Sequence, residues 1–525
     1  MGQVGITRST VKHTAIYGSA AALGKLAGFI MLPVYAHSFG AVGYGVIGLL
    51  DTSLALFLSL LAGNLNGGIV RFYHELEPDR KSLAVSTGLI LVTVVASAML
   101  VVTLALSVPF SSLLLGDSSY YPLVCLAFLG MFFDLVGQTA ASDLIIRQRS
   151  VAFSLVSLLR LLLGLTLNIY LIVILEMGLV GYFLANLAGA VVTALIFLVL
   201  CIRRCGLRFD AEVARGLAAF QLPLIPGSLA EFVGAQIERV LVRFQIDLAS
   251  VGVLSMSYRF PGLLFLLITQ PFMRTWSTKR LQLAEEDRAN AQIVTGKMYS
   301  LYLYTLLFAA LVAAVNIDTF LRIIAPSEFW PAARLVRVQM VTVIVMSSGF
   351  YLNFGLYFNK ETKLLALISA VGSGFKVVVS FILISLWGID GAAYAALMAG
   401  LLRFAWSVSA AQKRFRIVLE HRKIAIMVVC ALVLCVAIIL MPLSSAPATR
   451  YIESQVATTV AGTIAGTAVA EWKQGAVLRA IEDRSADIAL LIVKTALCLC
   501  FLLVFPVTQG GFSGLRDRLR AFQRN

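Results

Sequence analysis

Residues 151–175 read VAFSLVSLLRLLLGLTLNIYLIVIL. About twenty apolar residues span the ~30 Å hydrocarbon core of a bilayer, so this stretch is long enough to cross it. In lipid every backbone N–H and C=O must be satisfied within the segment, which makes a helix the expected conformation. The one charge, Arg160, stands nine residues inside the stretch. A cation at that depth costs about 2.5–3.5 kcal/mol on insertion scales, so it normally faces a partner, a cavity or a substrate.

Outward from this segment the pattern repeats. Apolar stretches at 14–38, 46–70, 83–108, 120–145, 151–175, 178–202, 217–242, 249–273, 298–321, 332–357, 364–387, 390–411, 424–442 and 488–507 predict an all-α polytopic membrane protein with 14 transmembrane helices. The 525 residues are 60% hydrophobic and 13% charged, with a mean hydropathy of +0.91. Soluble domains average about 45–50% apolar and about 25% charged. The net charge of +15 does not point to nucleic acid, because the basic residues are scattered through short loops rather than gathered in one stripe. The seven cysteines lie mostly within apolar stretches, where Cys is a small hydrophobe. Cys201 and Cys205 flank two arginines without metal-ligand spacing. No cleavable signal peptide is expected, since the first apolar stretch is too long and runs into a second. Ile6 replaces the Ser or Thr of a myristoylation signal.

Loop lysines and arginines orient the chain. Arg8 and Lys12, Arg71 to Lys81, Arg147 and Arg149, the segments 203–215 and 274–297, Lys360 and Lys363, the 413–423 cluster and the tail from Arg516 all fall on one side. The opposite loops at 39–45, 109–119, 176–177 and 388–389 carry none, with Arg322 a mild exception. Both termini are therefore expected in the cytoplasm. Gly18-Ser19 and Gly43 recur as Gly227-Ser228 and Gly252 at an offset of 209 residues. Together with the basic link at 203–216, this suggests two six-helix halves of like orientation, 1–210 and 211–420. Residues 421–525 then form a C-terminal helix pair around an extracytoplasmic loop at 443–487.

Five cations stand mid-span: Lys25, Arg160, Arg259, Lys376 and Arg403. Each lies roughly 13–20 Å from its helix start. Gln236, Arg239 and Arg243 share one helix face by their spacing of three and four residues. Pairing with Asp51, Asp134, Glu231 or Glu238 would merely fasten helices together. The cations outnumber these acids, however, which leaves positive charge for an anionic ligand. Arginine suits phosphate through its planar fork, and lysine through a point charge. Glu231, and less centrally Asp51 and Asp134, could instead bind H⁺ or Na⁺ and couple transport to an ion gradient, or bridge to a cavity cation. Pro33, Pro223, Pro226 and Pro261 can kink their helices as hinges.

Catalysis has little support. Four histidines (13, 37, 74, 421) sit near helix ends or loops, and no nucleophile constellation is recognisable. Gly43-Tyr44-Gly45-Val46-Ile47-Gly48 formally fits a dinucleotide fingerprint but opens a membrane helix without a preceding strand, which favours close helix packing.

Leu222-Pro223-Leu224-Ile225-Pro226-Gly227 resembles the motif that opens the second half of polysaccharide-type (Wzx-like) flippases of the multidrug/oligosaccharidyl-lipid/polysaccharide (MOP) exporter superfamily. Glu238-Arg239, Val251-Gly252-Val253-Leu254-Ser255 and Gly67-Gly68-Ile69-Val70-Arg71-Phe72-Tyr73 are similar to further segments of the same proteins. Gly252 is followed by Val253 and Leu254 where the family has Ile-Tyr. Many such flippases have twelve helices, and fourteen is the count in the similar lipid II flippases. The resemblance implies two six-helix lobes in a V around a central cationic cavity. It also implies a polyprenyl-diphosphate-linked oligosaccharide as substrate, and a bacterial cytoplasmic (inner) membrane location. Lys25 falls where related flippases place a cavity cation. The expected protein is a secondary transporter and not an enzyme, with no cofactor beyond H⁺ or Na⁺ coupling. Its expected partners are the lipid-linked substrate, membrane lipids and polysaccharide polymerase or assembly proteins, and not nucleic acid. The competing expectations are a multidrug exporter of the same superfamily and a membrane-embedded glycosyltransferase or ligase.

Overall fold

The structure, a computed structural model, describes residues 24, 27–61, 65–77, 80–440 and 485–503. The first predicted span is described only from residue 24 onward, and Lys25 is outside the described residues, as are Gly18-Ser19 and nearly all of the 443–487 loop.

Among the described residues there is no strand. The helices are α1 (Leu32–Leu61), α2 (Leu65–Glu75), α3 (Lys81–Ala105), α4 (Ser107–Leu115), α5 (Tyr121–Ile146), α6 (Ser150–Asn168), α7 (Gly178–Cys205), α8 (Ala211–Gln221), α9 (Ile225–Gln245) and α10 (Leu248–Ser257). They continue as α11 (Arg259–Leu264), α12 (Gln270–Glu286), α13 (Arg288–Ile324), α14 (Ala332–Leu352), α15 (Phe354–Phe358), α16 (Thr362–Trp387), α17 (Ile389–Arg414), α18 (His421–Leu440) and α19 (Ser485–Leu499). Twelve helical stretches among the described residues are long and apolar enough to cross a membrane. They correspond to the second through thirteenth predicted spans. The fourteenth is described only over 485–503.

Two boundaries differ from expectation. The first and second spans are not separated by a loop at 39–45. They meet at Gly40, whose φ of 62° and ψ of −174° break α1 sharply. Only glycine takes that conformation without strain, so one residue does the work of a loop. Likewise, the basic stretch 274–297 is helical apart from a break at Asp287, because Lys, Arg, Glu and Gln are good helix formers. Asp287 caps α13 by accepting from the N–H groups of Ala289 and Asn290, each at 3.0 Å.

The chain divides into two compact units, one comprising Met1–Ser255 with Ser369–Ala395 and the other Met256–Ile368 with Ala396–Asn525. In the first unit α5 packs along α7 through small residues. A Cβ on Gly137 would lie 3.0 Å from the Ala194 Cα. Phe128 of α5, fully buried, is met edge-on by Phe57 of α1 and Phe110 of α4, with ring centroids at 5.0 and 5.8 Å. The N-terminus of α8 is tied to α3. Asp210 accepts from the N–H groups of Glu212 and Val213 at 2.9 and 3.2 Å and pairs with Arg80 at 2.7 Å. Those donors, led by the Val213 N–H and the Arg80 guanidinium, hold the Asp210 carboxyl below its usual range.

In this unit α1 and α10 approach closely. A Cβ on Gly45 would run into the carbonyl of Leu248 and the nitrogen of Gly252, and one on Gly252 would run into the carbonyl of Ala41 and the nitrogen of Gly45. Gly48 faces Ser255 in the same way. The Gly-x-Gly-x-x-Gly stretch is thus a packing surface, where missing side chains let two backbones touch. Gly45 and Gly252, like Gly48 and Ser255, are 207 residues apart, which sets Gly45-Val46-Ile47-Gly48 beside Gly252-Val253-Leu254-Ser255.

In the second unit the 37-residue α13 is the spine. Tyr302 stacks on Phe272 and Tyr351, with centroids at 4.8 and 5.5 Å, and its hydroxyl meets the Thr269 hydroxyl at 2.9 Å. Thr269 in turn donates to Ser347 at 3.1 Å, so these buried hydroxyls satisfy one another. Arg280 is only 4% exposed. Its Nη1 donates to the Tyr351 carbonyl at 2.7 Å, and its guanidinium lies 4.1 Å from the Phe354 ring centroid. The Tyr304 hydroxyl bonds the Phe501 carbonyl at 3.2 Å and the two rings stack, which seats the end of the C-terminal helix on α13.

Candidate substrate cavity and the buried charges

Helix α9 carries the densest set of polar residues placed within a span. Pro223 lies in a 3₁₀ turn at Leu222–Leu224 and Pro226 is the second residue of α9, where a missing N–H is harmless. Three turns further on, Arg239 reaches the hydroxyl of Thr52 on α1 at 3.4 Å and the side-chain oxygen of Gln236. Both are neutral acceptors. One turn on, Arg243 donates through Nε to the Leu114 carbonyl at 3.0 Å. The shared face read from the spacing of Gln236, Arg239 and Arg243 therefore turns toward α1 and α4.

Lys376 of α16 points the other way along α9. Its Nζ lies 3.0 Å from a Glu238 carboxylate oxygen and donates to the Gly234 carbonyl at 2.7 Å. Glu238 is 1% exposed and Lys376 12%, so this is a closed ion pair between two helices. Gly234 makes the approach possible, because a Cβ there would meet the Ser373 side chain. Glu231 is exposed, as is Asp51, which neighbours the buried Thr52.

Arg160 forms a two-pronged pair with Asp134, Nη1 to Oδ1 at 2.5 Å and Nη2 to Oδ2 at 2.8 Å. The pair stands beside a cavity of about 530 Å³ within the first unit, lined by residues of 24–35 and of α5, α6 and α7. Tyr35, Gln138, Ser157, Arg160, Asn168 and Asn186 give it its polar character. Asn168 stands just before a π-helical turn, Ile169–Ile174, that ends the span. Such turns leave the regular bonding ladder and recur at functional sites.

Arg259 and Arg403 belong to the second unit. Arg259 is the exposed first residue of α11, with Pro261 two residues on and a π-helical turn at Phe265–Thr269 following. Arg403 is half-buried in α17. Pro33 comes directly after a break in the helical pattern at Met31. Each of the four prolines singled out in the sequence thus coincides with a local irregularity. Within the first unit the structure brings Arg160 to Asp134, Lys376 to Glu238 and Arg239 to Thr52. Thr52, Asn168 and Asn186 have no sequence signature that would have singled them out, since uncharged polar residues are common in membrane helices. Among the described residues no three His, Cys, Asp or Glu side chains are grouped to hold a metal ion.

Comparison with known proteins places this geometry in a family setting. Residues 43–280, from the glycine-rich start of the second span to α12, match a family model described as "Polysaccharide biosynthesis protein". A 90-residue stretch, 17% of the chain, is 30% identical to Lsg locus putative protein 1 of Haemophilus influenzae. That match spans 22% of the relative's length. Among solved structures, the lipid II flippase MurJ in an inward closed conformation superposes with a TM-score of 0.67 at 13% identity, over 94% of this chain and 98% of that one. An inward-facing MATE family multidrug resistance transporter of the MOP superfamily gives 0.54 at 16% identity, over 76% and 95%. A MOP superfamily transporter from Pyrococcus furiosus, described as having a binding pocket of reverse polarity, gives 0.51 at 14%, over 77% and 95%. The fold is shared with these transporters, and the resemblance to polysaccharide biosynthesis proteins rests on the match over 43–280.

Proposed function

We propose that this multi-pass membrane protein is a secondary transporter that moves a polyprenyl-diphosphate-linked oligosaccharide from the inner to the outer leaflet of the bacterial cytoplasmic membrane by alternating access, for export of an O-antigen, capsule or exopolysaccharide. The observation that carries the reading is the match of residues 43–280 to polysaccharide biosynthesis proteins, in a segment whose membrane helices carry Arg160, Arg239 and Arg259. A diphosphate brings about two negative charges, and in a low-dielectric interior these need cations within a few ångströms. Lys25, Arg160, Arg239, Arg259, Lys376 and Arg403 would supply them, Arg160 and Lys376 by exchanging a carboxylate for the diphosphate.

In this reading 1–210 and 211–420 act as two six-helix lobes in a V, the C-terminal pair is an appendage, and both termini are cytoplasmic. Substrate binding neutralises the cavity and release restores its charge, which is the differential interaction an alternating switch requires. Glu231 and Asp51 are the carboxylates proposed for H⁺ or Na⁺ coupling, and Asp134 would join them only on releasing Arg160. The prenyl tail would remain among membrane lipids, and polymerase or assembly proteins would take the product.

The test is flipping of a fluorescent polyprenyl-diphosphate-sugar in reconstituted vesicles. Arg239→Gln, Lys25→Ala and Arg403→Ala are expected to abolish or strongly slow flipping while the protein accumulates normally. Wild-type rates in all three well-expressed variants would overturn the reading.

A further inference from the structure

The 530 Å³ cavity of the first unit has a chemical character of its own. Its size falls within the roughly 300–1,000 Å³ of small-molecule sites. Among the described residues its one charge, the Arg160 guanidinium, is matched by Asp134 through both terminal nitrogens. A phosphate would have to displace Asp134 from that two-pronged pair and leave the half-buried carboxylate without its cation. A sodium ion wants carboxylate or carbonyl oxygens, yet both Asp134 oxygens already accept from the guanidinium. The described lining of the cavity is thus charge-balanced and still polar.

Asn168 points to what would complete it. The residue is 4% exposed and lines the cavity. Its Nδ2 donates to the Gly164 carbonyl at 2.7 Å, while its Oδ1 is buried and has no hydrogen-bond partner among the described residues. A buried acceptor left unsatisfied is costly, and in native proteins it calls for an occupant that donates to it. Asn186 fixes its amide in the same manner, donating Nδ2 to the Tyr182 carbonyl at 2.9 Å, so its oxygen too is left to accept. Gln138 and Ser157 add further donors and acceptors, and the Tyr35 and Phe153 rings add apolar surface to the lining. Oriented amide acceptors, hydroxyls, aromatic rings and a charge-balanced lining suit a ring rich in hydroxyl donors on one edge and C–H groups on its faces.

We infer that this cavity is a subsite for an uncharged sugar unit of the transported lipid, with the Asn168 and Asn186 side-chain oxygens accepting from its hydroxyl or amide groups; the inference rests on the flippase reading. It separates the two tasks of recognition. Cations hold the diphosphate, and a charge-balanced pocket within one helix bundle selects the glycan.

Binding to the purified full-length protein separates these tasks, with three probes: farnesyl diphosphate, its N-acetylglucosamine conjugate and its glucose conjugate. At least one glycosylated probe is expected to bind wild type about tenfold more tightly than bare farnesyl diphosphate. Asn168→Leu, which removes the amide at nearly constant volume, should erase that advantage and leave the bare diphosphate unaffected. Asn186→Leu, at an exposed position, should reduce the advantage and serves if the first variant folds poorly. Equal affinity of wild type for all three probes, or equal weakening of all three in the variants, overturns the sugar subsite and leaves diphosphate binding intact. Failure of every probe to bind overturns the flippase reading and the subsite with it. Thermal stabilisation of wild type by NaCl over KCl that disappears in Asn168→Leu would make the cavity a cation site and also overturn the inference.

Discussion

Gly45 and Gly252 each occupy the space that the other's side chain would need, so α1 and α10 meet backbone against backbone. Alanine at either position must push a carbonyl, which has no rotamer to retreat into. Overpacking of this kind typically costs about 1–3 kcal/mol. Gly45→Ala and Gly252→Ala should each lower the midpoint of thermal unfolding in detergent. Because the contact is shared, the double variant should lose less than the sum of the two. Additive losses would mean that the helices relax independently and do not share a contact.

Lys376 and Glu238 make a different kind of contact, an ion pair that is closed to solvent. Removing one partner of such a pair leaves a buried charge and costs about 3–5 kcal/mol, while replacing both by apolar groups is often neutral. Lys376→Met alone should therefore reduce the amount of folded protein, and Lys376→Met with Glu238→Leu should restore it. If the rescued double variant also flips substrate at the wild-type rate, Lys376 fastens helices and contributes no charge to the substrate.

Arg280 is held by a carbonyl and an aromatic face, and Lys cannot reproduce the planar guanidinium stacked 4.1 Å from the Phe354 ring centroid. Arg280→Lys should destabilise the second unit by about 1–2 kcal/mol, in keeping with a desolvated cation–π contact. Hydrogen exchange in α12 and α14 would report the loss, and unchanged protection there would show that the stack contributes nothing.

Asp210 gives a pH dependence. Its carboxyl is held below the usual range by the Val213 N–H and by Arg80, so folding favours the charged form. That contribution is complete above the unfolded carboxyl value of about 3.9 and disappears as pH falls through the lower folded value. Asp210→Asn should therefore be less stable than wild type at pH 7, and the difference should vanish in strong acid. A gap in unfolding temperature that stays constant from pH 7 to pH 2 would contradict the assignment.

Much of this molecule is legible in its sequence because lipid is a demanding solvent. Apolar stretches of fixed length had to become helices, and twelve predicted spans have their counterparts. Placing a charge at mid-depth was equally readable, but its partner was not. The sequence puts Arg160 and Asp134 in neighbouring spans, yet only the packing of α5 against α6 and α7 brings them together. Gly40 hid for a local reason, since a single residue in a glycine-only conformation replaces a loop and leaves no polar run behind. The helical 274–297 segment was taken for a loop because basic composition marks the cytoplasmic side without excluding helix. Asn168 became visible only once its amide could be seen donating to Gly164, which leaves its oxygen facing a cavity.

The 207-residue relation between Gly45 and Gly252 reaches beyond packing. In that contact residue 41 meets 252 as 248 meets 45, so each helix offers the other the same patch of surface. Reciprocity of this kind defines an isologous interface, the form taken by a two-fold symmetric dimer. Here both halves of that self-complementary contact belong to one chain, so a substitution on either helix changes a surface that the other presents in kind.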